Sequence, residues 1–160
     1  MADSSTKRRH FPTREALVEA VYRTELAAVC SSVEDLLATH EPADALRAWM
    51  DRYAEFVTTK RGMAETFRAM VADGTVARTR TREAIGGAVG TLLAAGARAG
   101  TVRDDVAPDD VVTVLVGIFV ATQGSDDRAR VGRLLDLVAS GLVSTFQGHS
   151  PGKCSQAGGT

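Results

Sequence analysis

Apolar residues recur at three- and four-residue spacing along most of this 160-residue chain, and strand-like alternation is almost absent. The first run begins at Pro12 and Thr13 and continues to about His40, which predicts one long helix. A second helix is predicted from Pro42, because proline suits the first turn of a helix. A short third helix is predicted between the breaks at Gly62 and Gly74.

Three further helices are predicted in the second half of the chain. The fourth runs roughly from Thr75 to Ala99, with Gly100 as its C-terminal stop. The fifth starts at Pro108, and the two aspartates that follow complement the positive end of the helix dipole. The sixth is predicted to begin with Ser125 as its N-cap. The sequence therefore predicts an all-α bundle of about six helices.

The fifth predicted helix is apolar on nearly every side, from Val111 to Val120. Such a helix must be covered on more than one face. A second copy of the chain would supply this cover in a two-fold dimer through the last two helices, and we expect that arrangement. A central position in a monomer is the alternative. The residues predicted to form the dimer interface are Val112, Val116, Val120, Val131, Leu134, Leu135, Val138 and Leu142.

Aromatic residues and methionines concentrate in the second and third predicted helices. Such side chains, with a few polar groups among them, are typical walls of a small-molecule pocket. Three glycines in the fourth helix, at positions 86, 87 and 90, indicate close helix approach or space beside it. We therefore expect a pocket for a hydrophobic effector, with ordinary core packing as the alternative for each residue taken singly. The predicted ligand-binding residues are Trp49, Tyr53, Phe56, Met63, Phe67, Met70, Val89 and Phe119.

Composition fits one globular domain, since 44% of the residues are hydrophobic and 24% are charged. The formal net charge of -1 excludes the overall basic field that draws many nucleic-acid-binding modules to a polyanion. Two cysteines make no disulfide framework, which fits a reducing compartment. The N-terminus has no apolar signal-peptide core, and the longest apolar run is too short to cross a bilayer. We expect a cytoplasmic protein without membrane contact.

Candidate chemistry is sparse. The densest carboxylates are Asp104, Asp105, Asp109 and Asp110, which flank a proline-started helix where turn and cap roles account for them. The three histidines are scattered, so no spacing of metal ligands is found. Nucleophile-elbow, P-loop and dinucleotide motifs are also missing. The sequence therefore predicts a binding protein without cofactor or metal, and not an enzyme.

One N-terminal stretch carries a family resemblance. RRHFPTREALVEAVYR, residues 8–23, resembles the segment of TetR-family transcriptional regulators that closes the DNA-binding headpiece and begins the long connecting helix. Downstream, PADALRAWMDRYAEFVTTKRGMAETF, GTVRDDVAPDDVV and RVGRLLDLVASGLV are similar to the effector domain of that family, so the resemblance covers about Arg9 to Thr145. It implies an all-helical two-fold dimer with a four-helix interface and an inducer pocket in the middle helices.

The resemblance does not extend to the family's helix-turn-helix unit, whose second helix enters the major groove. We expect residues 1–11 to be a remnant of the end of that headpiece, residues 12–146 to be a ligand-binding and dimerisation domain, and residues 147–160 to be a disordered tail. The resemblance implies phosphate contacts for His10 and Arg14, which would position a protein on DNA without reading its sequence. DNA binding is expected only if a longer form or a partner chain supplies a headpiece.

Three functions are open at this point. The native chain could start further upstream and be an ordinary ligand-responsive repressor, of which these residues are the sensing and dimerisation domain. The short form could instead pair with a full-length regulator and act as a dominant-negative partner, because one reading head would replace two. The third function is a free-standing small-molecule-binding protein with no role on DNA.

Overall fold

The computed structural model of the chain describes residues 13–60, 75–122 and 127–144. Within these ranges all regular structure is helical apart from one isolated bridge. The helices are α1 (Arg14–Thr39), α2 (Pro42–Lys60), α3 (Thr75–Ala99), α4 (Pro108–Ala121) and α5 (Arg128–Leu142). The predicted all-α fold is confirmed. The short helix predicted between Gly62 and Gly74 lies outside the described residues, as do His10 and the predicted tail.

Local signals in the sequence set several helix ends. The Thr13 hydroxyl accepts a hydrogen bond from the Ala16 amide at 3.1 Å and so caps α1, as the first run predicts. Gly100 ends α3 with a φ of 71°, and the amide that follows it donates to the Gly96 carbonyl at 2.9 Å. Pro108 occupies the first turn of α4. These boundaries match the predicted ones.

The start of α5 differs from the prediction. Asp127, and not Ser125, is the N-cap, because its carboxylate accepts the Arg130 amide at 2.8 Å. Serine and aspartate are comparable N-cap residues. The N-cap is therefore decided by where the unpaired backbone amides of the first helical turn lie. The helix therefore begins at Arg128, later than the sequence suggests.

Helix α2 lies in the middle of the bundle, where it packs against α1, α3 and α5. Its Trp49 and Met50 are fully buried, together with Leu92 of α3 and Leu115 of α4. The indole N–H of Trp49 donates to the Val29 carbonyl of α1 at 3.1 Å. This bond satisfies the one polar atom of a buried tryptophan and fixes α2 against α1.

Helix α5 is held at two places. Arg47 of α2 donates to the Asp136 carboxylate of α5 at 2.8 Å. Beyond the end of α5, Val143 forms an antiparallel bridge with Val102, which lies in the connection between α3 and α4. The bridge places Val102 in the core, beside the last turns of α3.

The glycines of α3 differ in their surroundings. A Cβ added at Gly90 would lie 3.4 Å from Pro108 Cγ, an ordinary van der Waals contact, so the start of α4 lies close to this glycine. Nothing lies within 4 Å of such an atom at Gly86 or Gly87. Both alternatives suggested by the glycine pattern, close approach and open space, therefore occur along one helix.

Gly96 offers a test of how tightly Val102 is packed. A Cβ at buried Gly96 would lie 2.6 Å from Val102 Cβ and nearer still to Cγ2, so Gly96→Ala should force a shift that costs about 1–3 kcal/mol. The matched control is Gly87→Ala in the same helix, which is exposed and should be neutral or stabilising by up to ~1 kcal/mol. Denaturant unfolding measures both. Equal stability of the two variants would contradict the packing.

Candidate functional site

Five aromatic rings from three helices contact one another in the core. Trp49 and Tyr53 of α2 stack with centroids 5.4 Å apart and planes inclined by 9°. The Tyr53 ring also meets the edge of Phe119 of α4 at 5.5 Å, and Phe56 of α2 meets Tyr22 of α1 at 5.2 Å. Since Tyr53 also lies 6.3 Å from Phe56, the five rings are continuous. We call them the aromatic cluster.

The cluster brings together four of the predicted ligand-binding residues, Trp49, Tyr53, Phe56 and Phe119. A fifth, Val89 of α3, belongs to the same buried core. The other three predicted residues are outside the described ranges: Met63, Phe67 and Met70. The described residues pack closely, and ligand binding by this group stays a prediction.

Three polar groups meet beside the aromatic cluster, and the sequence analysis did not identify two of their residues. The Tyr22 hydroxyl is hydrogen-bonded to Thr81 of α3. The half-buried Cys30 thiol is close enough to both phenols to raise the pKa of Tyr22 and of Tyr53. Tyr22 precedes Leu26 by four residues, which places both on one face of α1. This spacing could have predicted that Tyr22 faces the core. We call the Tyr22 hydroxyl, the Tyr53 hydroxyl and the Cys30 thiol the polar trio.

All three groups of the polar trio are held uncharged. Burial raises the pKa of Tyr53 above its ordinary value, and the neighbouring Tyr22 phenol and Cys30 thiol add to this rise. Burial also raises the pKa of Tyr22, against the opposing effect of its hydrogen bond with Thr81. The pKa of the Cys30 thiol is raised by burial. At neutral pH the junction of α1, α2 and α3 therefore contains uncharged hydrogen-bonding groups next to the rings of the aromatic cluster.

Cys30 gives a direct check on this environment. Because its pKa is raised, a smaller fraction is thiolate at about pH 8, and alkylation by iodoacetamide should be slower than for an unhindered cysteine. The midpoint of the rate against pH should also move to higher pH. The measurement uses Cys154→Ser protein, followed by mass spectrometry, with the same chain unfolded in guanidinium chloride as the control. A folded-state midpoint at or below the unfolded one would contradict the assignment.

A second concave region lies between α3 and the start of α4, but its arginine and the aspartate opposite are already paired with each other. Arg82 donates from Nε to the Asp109 carboxylate at 2.6 Å and from a terminal nitrogen to the Thr113 hydroxyl at 2.8 Å. The hydrogen bond from Arg82 holds the pKa of Asp109 below its ordinary value. In the described ranges no group of three or more His, Cys, Asp or Glu residues could hold a metal. The polar trio is therefore the better candidate site.

The predicted interface residues divide between core and surface. Val112, Leu135 and Leu142 are buried in the protomer's own core, so their side chains have no surface to offer a partner. Val131, Leu134 and Val138 are half-buried. Val116 and Val120 of α4 are 42% and 59% exposed. None of the helices that the structure describes is long and apolar enough to span a membrane.

Leu137 of α5, which the sequence analysis did not select, is 70% exposed. It lies on the side of α5 opposite the buried Leu135, because residues two apart in a helix point away from each other. We call Val116, Val120 and Leu137 the exposed apolar set. These three side chains are among those of the last two helices that the protomer leaves accessible to a partner, and the dimer interface itself stays a prediction.

Comparisons with known proteins agree on one family. Residues 41–144 match the family described as "Transcriptional regulator SbtR-like, C-terminal domain". The crystal structure of the TetR transcriptional regulator SCO0520 from Streptomyces coelicolor is similar, at 47% sequence identity and a TM-score of 0.76, over 84% of this chain and 77% of that one. This chain belongs to the TetR family of transcriptional regulators. No curated protein matches the sequence.

Membership of the TetR family confirms the resemblance drawn from the sequence motifs, and residues 41–144 correspond to the family's C-terminal domain. TetR-family regulators are typically dimers that bind DNA and small-molecule effectors. Arg14, the one described residue with an implied phosphate contact, is the exposed first residue of α1. Its role on DNA stays a prediction.

Proposed function

We propose that this chain is the effector-sensing and dimerisation domain of a ligand-responsive TetR-family repressor. The observation that carries the proposal is the convergence of the polar trio beside the aromatic cluster, where α1, α2 and α3 meet. Small-molecule sites are mostly apolar, with a few placed polar groups that orient the ligand. The junction has this composition, and it includes the helix that, by resemblance, continues from the DNA-binding headpiece.

The contacts of Trp49 suggest how an effector would act on α1. The Trp49 ring is stacked on Tyr53, while its indole N–H is bonded to the Val29 carbonyl of α1. A molecule that separates the stacked rings would change the position of Trp49, and its hydrogen bond transmits the change to α1. The effector must bind one arrangement of α1 more tightly than another, because only differential affinity shifts a population. In the family's mechanism, tilting of the first helix changes the spacing of the two reading heads.

The sensing function predicts that a hydrophobic small molecule raises the melting temperature and changes Trp49 fluorescence in the same titration. Trp49 is the chain's one tryptophan, so its emission reports on the aromatic cluster directly. A compound present at 100 times its Kd should stabilise the fold by about 2.7 kcal/mol. The measurement is a screen of a compound library that contains both charged and uncharged molecules. Compounds that raise the melting temperature without changing the emission bind elsewhere, and a diverse library with no compound that does both would contradict the proposal.

Pairing is the second part of the proposal. The exposed apolar set lies on α4 and α5, which contact each other, whereas α1 is not in extensive contact with either. Exposed apolar patches on a monomer indicate an interaction site. A two-fold copy of the same helices would cover them with an identical surface.

Leu137→Asp should therefore convert a dimer to a monomer without unfolding it, because it adds a charge to a side chain that the protomer leaves exposed. The matched control is Leu17→Asp, which makes the same change at an exposed leucine on α1. Light scattering should give twice 16.9 kDa for the parent chain and for the control, and 16.9 kDa for Leu137→Asp. Circular dichroism checks the fold. A parent chain that is already monomeric would overturn the pairing part alone.

A further inference from the structure

The polar trio carries information about the chemistry of the effector, provided that the proposed sensing function holds. Tyr53 is only 6% exposed, and no hydrogen bond to its hydroxyl is formed within the part of the chain that the structure describes. The neighbouring Tyr22 hydroxyl, in contrast, is engaged by Thr81. The Tyr53 oxygen is not one of the fully enclosed polar atoms that lack a partner among the described residues, so a ligand can reach it. The Tyr53 hydroxyl is therefore the donor that is available to a ligand at this site.

The same junction provides no counter-ion for a charged ligand within the described residues. The groups that influence Tyr22, Tyr53 and Cys30 are these three themselves and Thr81, all neutral at physiological pH. Two guanidinium groups on the same helices are committed elsewhere: Arg47 pairs with Asp51 and Asp136, and Arg82 pairs with Asp109. Burial of an unpaired charge is strongly unfavourable. A charged effector would therefore find no counter-ion among the described residues of the junction.

A purely apolar effector is also disfavoured, because it would leave the Tyr53 hydroxyl without an acceptor. The geometry of the rings favours a flat molecule. The Trp49 and Tyr53 planes are inclined by only 9°, and Phe119 presents its ring nearly perpendicular to Tyr53. A planar aromatic ligand can continue either an offset stack or an edge contact with such rings.

We propose that the effector is an uncharged aromatic molecule with a hydrogen-bond acceptor, and that Tyr53 donates to this acceptor. Tyr53 is thus the specificity-determining residue of the site. The remaining recognition comes from ring contacts, which do not distinguish a ketone from a hydrocarbon of the same shape.

Three probes of nearly the same size test the proposal on the full chain. Acetylnaphthalene is neutral and accepts a hydrogen bond, ethylnaphthalene is neutral and does not, and naphthoate carries a charge. Their Kd values are measured by isothermal titration calorimetry. Acetylnaphthalene should bind about tenfold more tightly than ethylnaphthalene, which corresponds to about 1.4 kcal/mol, and also more tightly than naphthoate.

Substitutions assign the donor. Tyr53→Phe keeps the ring and removes the hydroxyl, and it should bring the ratio of the two Kd values for acetylnaphthalene and ethylnaphthalene close to one. Tyr22→Phe is the matched control, because that hydroxyl is already bonded to Thr81, and it should leave the ratio near ten. Comparing two ligands on one variant removes any general effect of the substitution on the shape of the site or on stability.

Several results would overturn the proposal. Naphthoate binding as tightly as acetylnaphthalene would show that the site accepts a charge, and equal Kd values for the two neutral probes would show that no hydrogen bond selects between them. A ratio that survives in Tyr53→Phe would assign the donor to another residue. Failure of all three probes would also reject this effector class. The compound screen then decides the proposed function separately, since stabilisation by anionic or non-aromatic molecules would preserve the sensing role.

Discussion

The burial of one face of α2 is the constraint on which the rest of this structure depends. Trp49 is fully enclosed, and a tryptophan can be buried at low cost only when its indole N–H finds an acceptor. The acceptor is the Val29 carbonyl of α1, so the position of α2 along α1 is fixed by a directional bond and not only by apolar contact. From Trp49 the contacts continue through Tyr53 to Phe119 of α4. Trp49 and Tyr53 together thus relate three helices.

The same packing concentrates polar chemistry at one junction. Most side chains in the described core are hydrocarbon, and a hydrocarbon side chain needs no hydrogen-bond partner when it is buried. Tyr22, Cys30 and Tyr53 cannot, because each has a polar atom whose environment matters. Their raised pKa values follow from the enclosure that Trp49 and its neighbours create. The candidate site is therefore a consequence of the core and not an addition to it.

Sequence reasoning succeeded where the determining interaction is local. Thr13, Gly100 and Pro108 act on adjacent backbone groups, so their effect on helix ends can be predicted without the fold. The polar trio could not be predicted in this way, because it depends on how three helices cross. The apolar α4 likewise has no polar face to mark its orientation, so the sequence could not separate the buried Val112 from the exposed Val116 and Val120. On α5 the periodic apolar residues gave no sign that Leu137, which lies outside that pattern, is exposed.

Two kinds of contact could relate the candidate sensing site to the last two helices, and they differ in strength. Arg47 and Asp136 join α2 to α5, but the Asp136 side chain is 66% exposed, and exposed ion pairs contribute about 0–1 kcal/mol and weaken with salt. The contact of Tyr53 with buried Phe119 contributes ~0.5–1.5 kcal/mol beyond the area that it buries. Because Phe119 lies on the same helix as Val116 and Val120, a displacement of Tyr53 must either lose this contact or move α4. The packed aromatic contact is therefore the stronger connection between the candidate sensing site and the exposed apolar set.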